Sequence, residues 1–183
     1  MKNRMKKLLS LMLALALAFS LTACGKQSAE AYIKNELDQF KKGEGLESVG
    51  EDLSPEILQA LLDNFSYNIL SAEENGDTAT VTVELTNLDM TTVVNNWLGQ
   101  LLVFAFDQSL QSDNEQLSEE ELNAVMYDML YACMTAEEIG PVTNTVTLAM
   151  NRTEEGWKLD SVSMNALTDA MMGGFFSAMA QLG

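Results

Sequence analysis

Residues 78–86 alternate without a break: Ala79, Val81, Val83 and Leu85 interleave with Thr78, Thr80, Thr82, Glu84 and Thr86. Successive side chains of a strand point to opposite faces, so this run specifies a strand with one apolar face and one threonine-rich face. A helix would scatter the same apolar groups around its whole circumference. Upstream, Phe65, Tyr67 and Ile69 alternate with Ser66 and Asn68, and Glu74-Asn75-Gly76-Asp77 supplies the Asn-Gly signal of a tight hairpin. A second hairpin follows Pro141. Val142, Val146, Leu148 and Met150 oppose Thr143, Thr145 and Thr147, and the turn Thr153-Glu154-Glu155-Gly156 leads into Trp157-Lys158-Leu159-Asp160.

Helical signals fill the intervals. Ser28 caps a helix over 29–42 that places Tyr32, Ile33, Leu37 and Phe40 on one side and stops at Gly43. Ser54 and Pro55 open a short helix over 55–63. Asp89 caps a helix over 90–110; its middle, 97–106, is apolar nearly all round, which predicts enclosure by other elements. Ser118 and Glu121 form a capping box, and Leu122, Val125, Met126, Met129, Leu130 and Cys133 then trace one face. A Met- and Phe-rich helix is predicted over 165–181, with Gly173-Gly174 in its middle. The order is α-α-β-β-α-α-β-β-α, an α+β fold. Its two hairpins make one four-stranded antiparallel sheet, packed on one face by helices and with the threonine face toward water.

The first 23 residues stand apart, as a leader helix that is removed. Lys2, Arg4, Lys6 and Lys7 precede an apolar run over 8–19, shorter than the roughly 20 residues a spanning helix needs. Leu21-Thr22-Ala23-Cys24 then resembles the lipobox of bacterial lipoproteins. That resemblance implies a diacylglyceryl thioether on the Cys24 sulfur, cleavage before Cys24, and a lipid anchor on the extracytoplasmic face of the cell membrane. More than one acyl chain gives stable attachment. Residues 24–28 become the lipidated cysteine and a short tether, and 29–183 a single domain.

The leader removes four of the ten basic residues and none of the 27 acidic ones; six against 27 leaves a formal charge of −21. Such a surface repels phosphate backbones and excludes nucleic acid as a partner. With Cys24 acylated, Cys133 has no partner for a disulfide within one chain.

The segments FSYNILSAEENGDTATVTVEL and VTNTVTLAMNRTEEGWKLD resemble strands of the nuclear transport factor 2-like, cystatin-related superfamily. More closely, the chain is similar to a group of lipoproteins of Gram-positive, clostridium-like bacteria. The resemblance rests on a turn glycine, the packing tryptophan Trp157 and strand alternation. It implies a curved antiparallel sheet wrapped on a long helix and a membrane-anchored location, and carries no established activity.

Chemistry is sparse. The chain has no histidine, which removes the usual general base, the Ser-His and Cys-His pairs and the commonest zinc ligand. The acidic clusters Glu119-Glu120-Glu121, Glu137-Glu138 and Glu154-Glu155 fall at helix starts and turns. Residues 107–115, with Asp107, Asp113 and Glu115, lack the glycine and the final glutamate of a calcium loop. Met126, Met129, Met134, Met171, Met172 and Met179 suit core packing better than a soft metal. No enzyme, metal or cofactor is expected. Tyr67, Trp97, Phe104 and Phe106 are candidate linings of a pocket between the sheet and the third helix, for a small apolar ligand or an envelope protein partner. The alternative is a structural role through homodimerisation by the final helix.

Overall fold

The computed structural model describes residues 27–44, 46, 54–110 and 117–181. The expected leader and the expected lipobox Leu21-Thr22-Ala23-Cys24 lie outside the described residues, as does 111–116 in the polar link. In order, the described chain forms α1 (Ala29–Lys41), α2 (Pro55–Asn64), β1 (Ser66–Asn75), β2 (Thr78–Leu88), α3 (Met90–Ser109) and α4 (Glu119–Met134). β3 (Pro141–Thr153), β4 (Gly156–Leu159), α5 (Ser161–Met171) and α6 (Phe175–Ala180) complete it.

The strands form one antiparallel sheet in the order β1-β2-β3-β4. β2 pairs along its length with β3, from Thr78 opposite Asn151 to Leu88 opposite Pro141. Ala79, Val81, Val83, Leu85, Leu148 and Met150 are buried on one face, while Thr143, Thr145 and Thr147 are exposed on the other. Helices α1, α2 and α5 take the apolar face: α1 lies against β1 and β2, α2 against β2, and α5 against β2 and β3. Ile33 and Leu37 of α1, Ile57 of α2 and Leu167 of α5 are sealed there. Each such aliphatic side chain contributes about 1.5–3 kcal/mol of burial.

The capping reading holds in detail. Ser28, Ser54, Asp89 and Ser118 each accept a backbone N–H at the start of a helix, and Ser118 with Glu121 closes the reciprocal box. Each cap is worth about 1 kcal/mol.

The structure adds one feature to the sequence reading and corrects it in two places. The added feature is in β1, whose alternation is interrupted after Ile69. Ile69 faces Val83, but Ser71 faces Thr82, leaving Leu70 as an extra residue that is 49% exposed. One inserted residue exchanges the two faces, so Ala72 and Glu74, rather than Ser71 and Glu73, follow Ile69 on the helix side.

The final helix expected over 165–181 is two helices. It begins earlier, because Asp160 caps it through Ser163 N–H at 2.7 Å, and it breaks at Gly173-Gly174. Gly173 has φ 61°, and a Cβ there would lie 2.0 Å from the carbonyl oxygen of Leu88. That carbonyl belongs to the crossing where Met90 N–H donates to Gly173 O at 3.0 Å. Asp169, the lone charge of this segment, accepts Ser177 N–H in the first turn of α6 at 2.9 Å.

The second correction concerns α3, which is not enclosed. Leu102, Val103, Phe106 and the adjoining Leu110 are 74%, 64%, 64% and 72% exposed. A 20-residue helix is about 30 Å long. Its neighbours α4 and α6 bury only Met90, Val93 and Val94 completely. Among the described residues the apolar face of the sheet is taken by the other helices, and α4 flanks only one side of the second half of α3.

Candidate binding surface

The exposed half of α3 is built by its spacing. At 100° per residue, positions 102, 103, 106 and 110 fall within an arc of about 100°, so their side chains form one apolar stripe. Beside it, α3 and α4 enclose a solvent-open depression of about 680 Å³. Phe104 and Met129 give it an apolar floor; Asn95, Gln100, Asp107 and Glu138 supply polar groups around it. The two helices are joined by the Trp97 indole N–H, which donates to Met126 O at 3.0 Å, and by Gln100 Nε2, 3.1 Å from Cys133 Sγ.

The four predicted pocket residues are not brought together, and the depression does not lie between the sheet and α3. Phe104 lines it. Trp97 packs half-buried between α3 and α4. Phe106 points into solvent on the stripe. Tyr67 stands on β1, far along the chain from α3, where its hydroxyl donates to Asp38 Oδ1 at 2.5 Å and its ring neighbours Phe65 at 6.2 Å. Burial, reinforced by that carboxylate, pushes the Tyr67 hydroxyl up to about 12. Sequence reasoning missed Leu102, Val103 and Leu110 as surface residues. The signal was present: a helix without a polar face, longer than its possible covers.

Among the described residues, one thiol and one carboxyl are buried with raised values. Cys133 lines the depression and is 2% exposed; desolvation, with the Glu138 carboxylate second, raises its thiol above the ordinary value. A raised thiol is a weak nucleophile. Glu36, 4% exposed on the sheet side of α1, is pushed by burial from 4.5 to about 7. It lies among core residues of α1 and does not line the depression. Among the described residues, no three His, Cys, Asp or Glu side chains converge as metal ligands. Met134, Met171 and Met172 are core residues, while Met126, Met129 and Met179 are half-buried. The acidic pairs stand where solvated carboxylates are expected, at the start of α4 and in the turns. Among the described residues no helix is long and apolar enough to cross a membrane.

No protein-family model matches the chain, and no curated protein matches it in sequence. Among solved structures it is similar to the crystal structure of YcdA, a proposed lipoprotein of Bacillus subtilis, at 17% identity and a TM-score of 0.45. The alignment covers 87% of this chain and 55% of that one, a likeness too low to carry any property from one to the other.

Proposed function

We propose that this protein is a lipid-anchored, non-catalytic binding protein of the extracytoplasmic membrane face, and that its working surface is the second half of α3 beside the α3–α4 depression. The anchor rests on the basic leader, its short apolar run and Cys24 directly after Ala23. A finer kinship with the nuclear transport factor 2-like superfamily is supported by α1 lying against β1 and β2 of a four-stranded antiparallel meander.

The observation that carries the binding reading is the stripe itself. Leu102, Val103, Phe106 and Leu110 stand together in water, a concentration of apolar area that monomeric proteins rarely display without use. A protein partner fits better than a small apolar ligand, because the depression is open and edged by Asn95, Gln100, Asp107 and Glu138. Sites for small ligands enclose most of the ligand's surface. The non-catalytic reading is supported by the absence of histidine and by the burial of Cys133 and Glu36 away from solvent.

A photo-crosslinking side chain at Phe106 tests this in membranes of the producing cell, with Thr145 on the exposed sheet face as the control position. The expected result is an adduct of one defined mass at 106 and none at 145. An adduct of twice the chain's own mass would instead identify a second copy as the partner, through α3 rather than the final helix. Equal, diffuse labelling at both positions would remove the stripe as a working surface.

A further inference from the structure

Where the chain enters the domain it is held by groups from three strands. Trp157 on β4 donates its indole N–H to the carbonyl oxygen of Gln27 at 3.1 Å. Glu74 on β1 accepts Ala29 N–H at 2.6 Å through Oε1, and its Oε2 meets Arg152 Nη2 at 3.3 Å. Arg152 on β3 lies over the Trp157 ring, with Cζ 4.3 Å from the centroid, and its backbone N–H donates to Asp77 O at 2.8 Å. Gln27 O and Ala29 N bracket Ser28, so both the position and the direction of the incoming chain are fixed. The bulge at Leu70 makes this possible by returning Glu74 to the helix side of β1.

All these groups sit at one end of the sheet, the end that carries both hairpin turns. Asn75 pairs with Thr78, Thr78 with Asn151 and Thr153 with Gly156. The opposite end is marked by Leu88 facing Pro141 and by Asp89 N–H donating to Gly140 O at 3.1 Å. The 11 residues of β2 separate the two ends by about 34 Å.

We propose that this clamp sets the pose of the domain on its bilayer: the end with Asp77 and Glu155 at its turns faces the lipid headgroups, and the Leu88–Pro141 end faces away. The proposal rests on the lipid anchor at Cys24. From Cys24 to Gln27 the chain reaches at most about 11 Å. A tether of that length on an unheld segment would let the domain roll; the contacts at Gln27 and Ala29 remove that freedom. The turn residues Glu73, Glu74, Asn75, Gly76, Asp77, Glu154 and Glu155 offer no apolar side chain for insertion, so this end rests on the headgroup layer. The lipid at Cys24 holds this end close against repulsion from anionic headgroups, which physiological salt screens with a decay length of about 8 Å.

The test uses the full lipidated chain, with Cys133→Ser, in vesicles of phosphatidylethanolamine and phosphatidylglycerol containing a headgroup-bound quencher. Fluorophores are placed singly at Asp77→Cys, Glu155→Cys and Glu137→Cys, the last in the exposed segment before Pro141. Quenching at 77 and 155 is expected to exceed that at 137 at least threefold. Equal quenching at the three sites, or stronger quenching at 137, overturns the pose. Trp157→Phe keeps the ring and loses the indole donor; the ratio is expected to fall toward one while the circular dichroism spectrum is retained. An unchanged ratio in that variant overturns the role of the clamp. Failure of the anchor reading is separately visible as an intact mass without the diacylglyceryl group, or as loss of the unlabelled chain from vesicles in a high-salt wash, and overturns anchor and pose together.

Discussion

Glu36→Gln should stabilise this protein, and should do so increasingly as the pH rises. The carboxyl sits on the sheet side of α1 among Tyr32, Ile33, Leu37 and Phe40, 4% exposed, and burial lifts it from 4.5 to about 7. The neighbouring Tyr32 hydroxyl is raised as well, first by burial and then by the Glu36 charge. A carboxyl with a raised folded-state value binds more protons folded than unfolded between about pH 4.5 and 7. Its contribution to stability is therefore greatest below pH 4.5, declines through that window and levels off above pH 7. The full displacement corresponds to roughly 3 kcal/mol, of which about 1 kcal/mol is already lost at pH 5.

Glutamine keeps the shape and cannot ionise. Its advantage over wild type should therefore grow by about 2 kcal/mol between pH 5 and pH 8. Self-repulsion among the remaining carboxylates also weakens the fold as the pH rises, but it is common to both proteins and cancels in the difference. Urea unfolding of the lipid-free chain from Gly25, followed by circular dichroism at pH 5, 6, 7 and 8, measures it. A difference independent of pH, or a variant less stable than wild type at pH 8, would falsify the claim that Glu36 is buried without a compensating charge.

Cys24→Ala should abolish acylation and leave the chain unprocessed or released; unchanged membrane retention, read by fractionation and intact mass, would refute the lipobox assignment. Gly173→Ala should destabilise by more than about 2 kcal/mol, since a left-handed φ of 61° and a Cβ 2.0 Å from Leu88 O must both be relieved. Gly99→Ala on α3, where a Cβ meets nothing within 4 Å, should instead stabilise by about 0.5–1 kcal/mol; thermal melts compare the two glycines directly. Phe106→Ser should change stability by less than about 0.5 kcal/mol while suppressing crosslinking from a probe moved to Leu102. Loss of the fold in that variant would mean that Phe106 is packed after all.

The sequence by itself determined the local features of this protein. Alternation in 78–86 and 142–150 assigned the strand faces, because a period of two is a property of the extended backbone alone. Ser28, Ser54, Asp89 and Ser118 marked their helix starts for the same reason, since capping is settled within four residues. Tertiary structure decided what depends on the lengths and positions of neighbours. The bulge at Leu70 is invisible in composition, because only pairing with β2 reveals the extra residue. The break at Gly173-Gly174 follows from the backbone crossing at Leu88 and Met90. The exposure of Leu102 and Phe106 reflects a helix longer than its covers, so an apolar circumference that predicted enclosure became the surface from which a function is argued. The clamp on Gln27 and Ala29 joins residues 45 to 130 positions apart, a distance no sequence window spans.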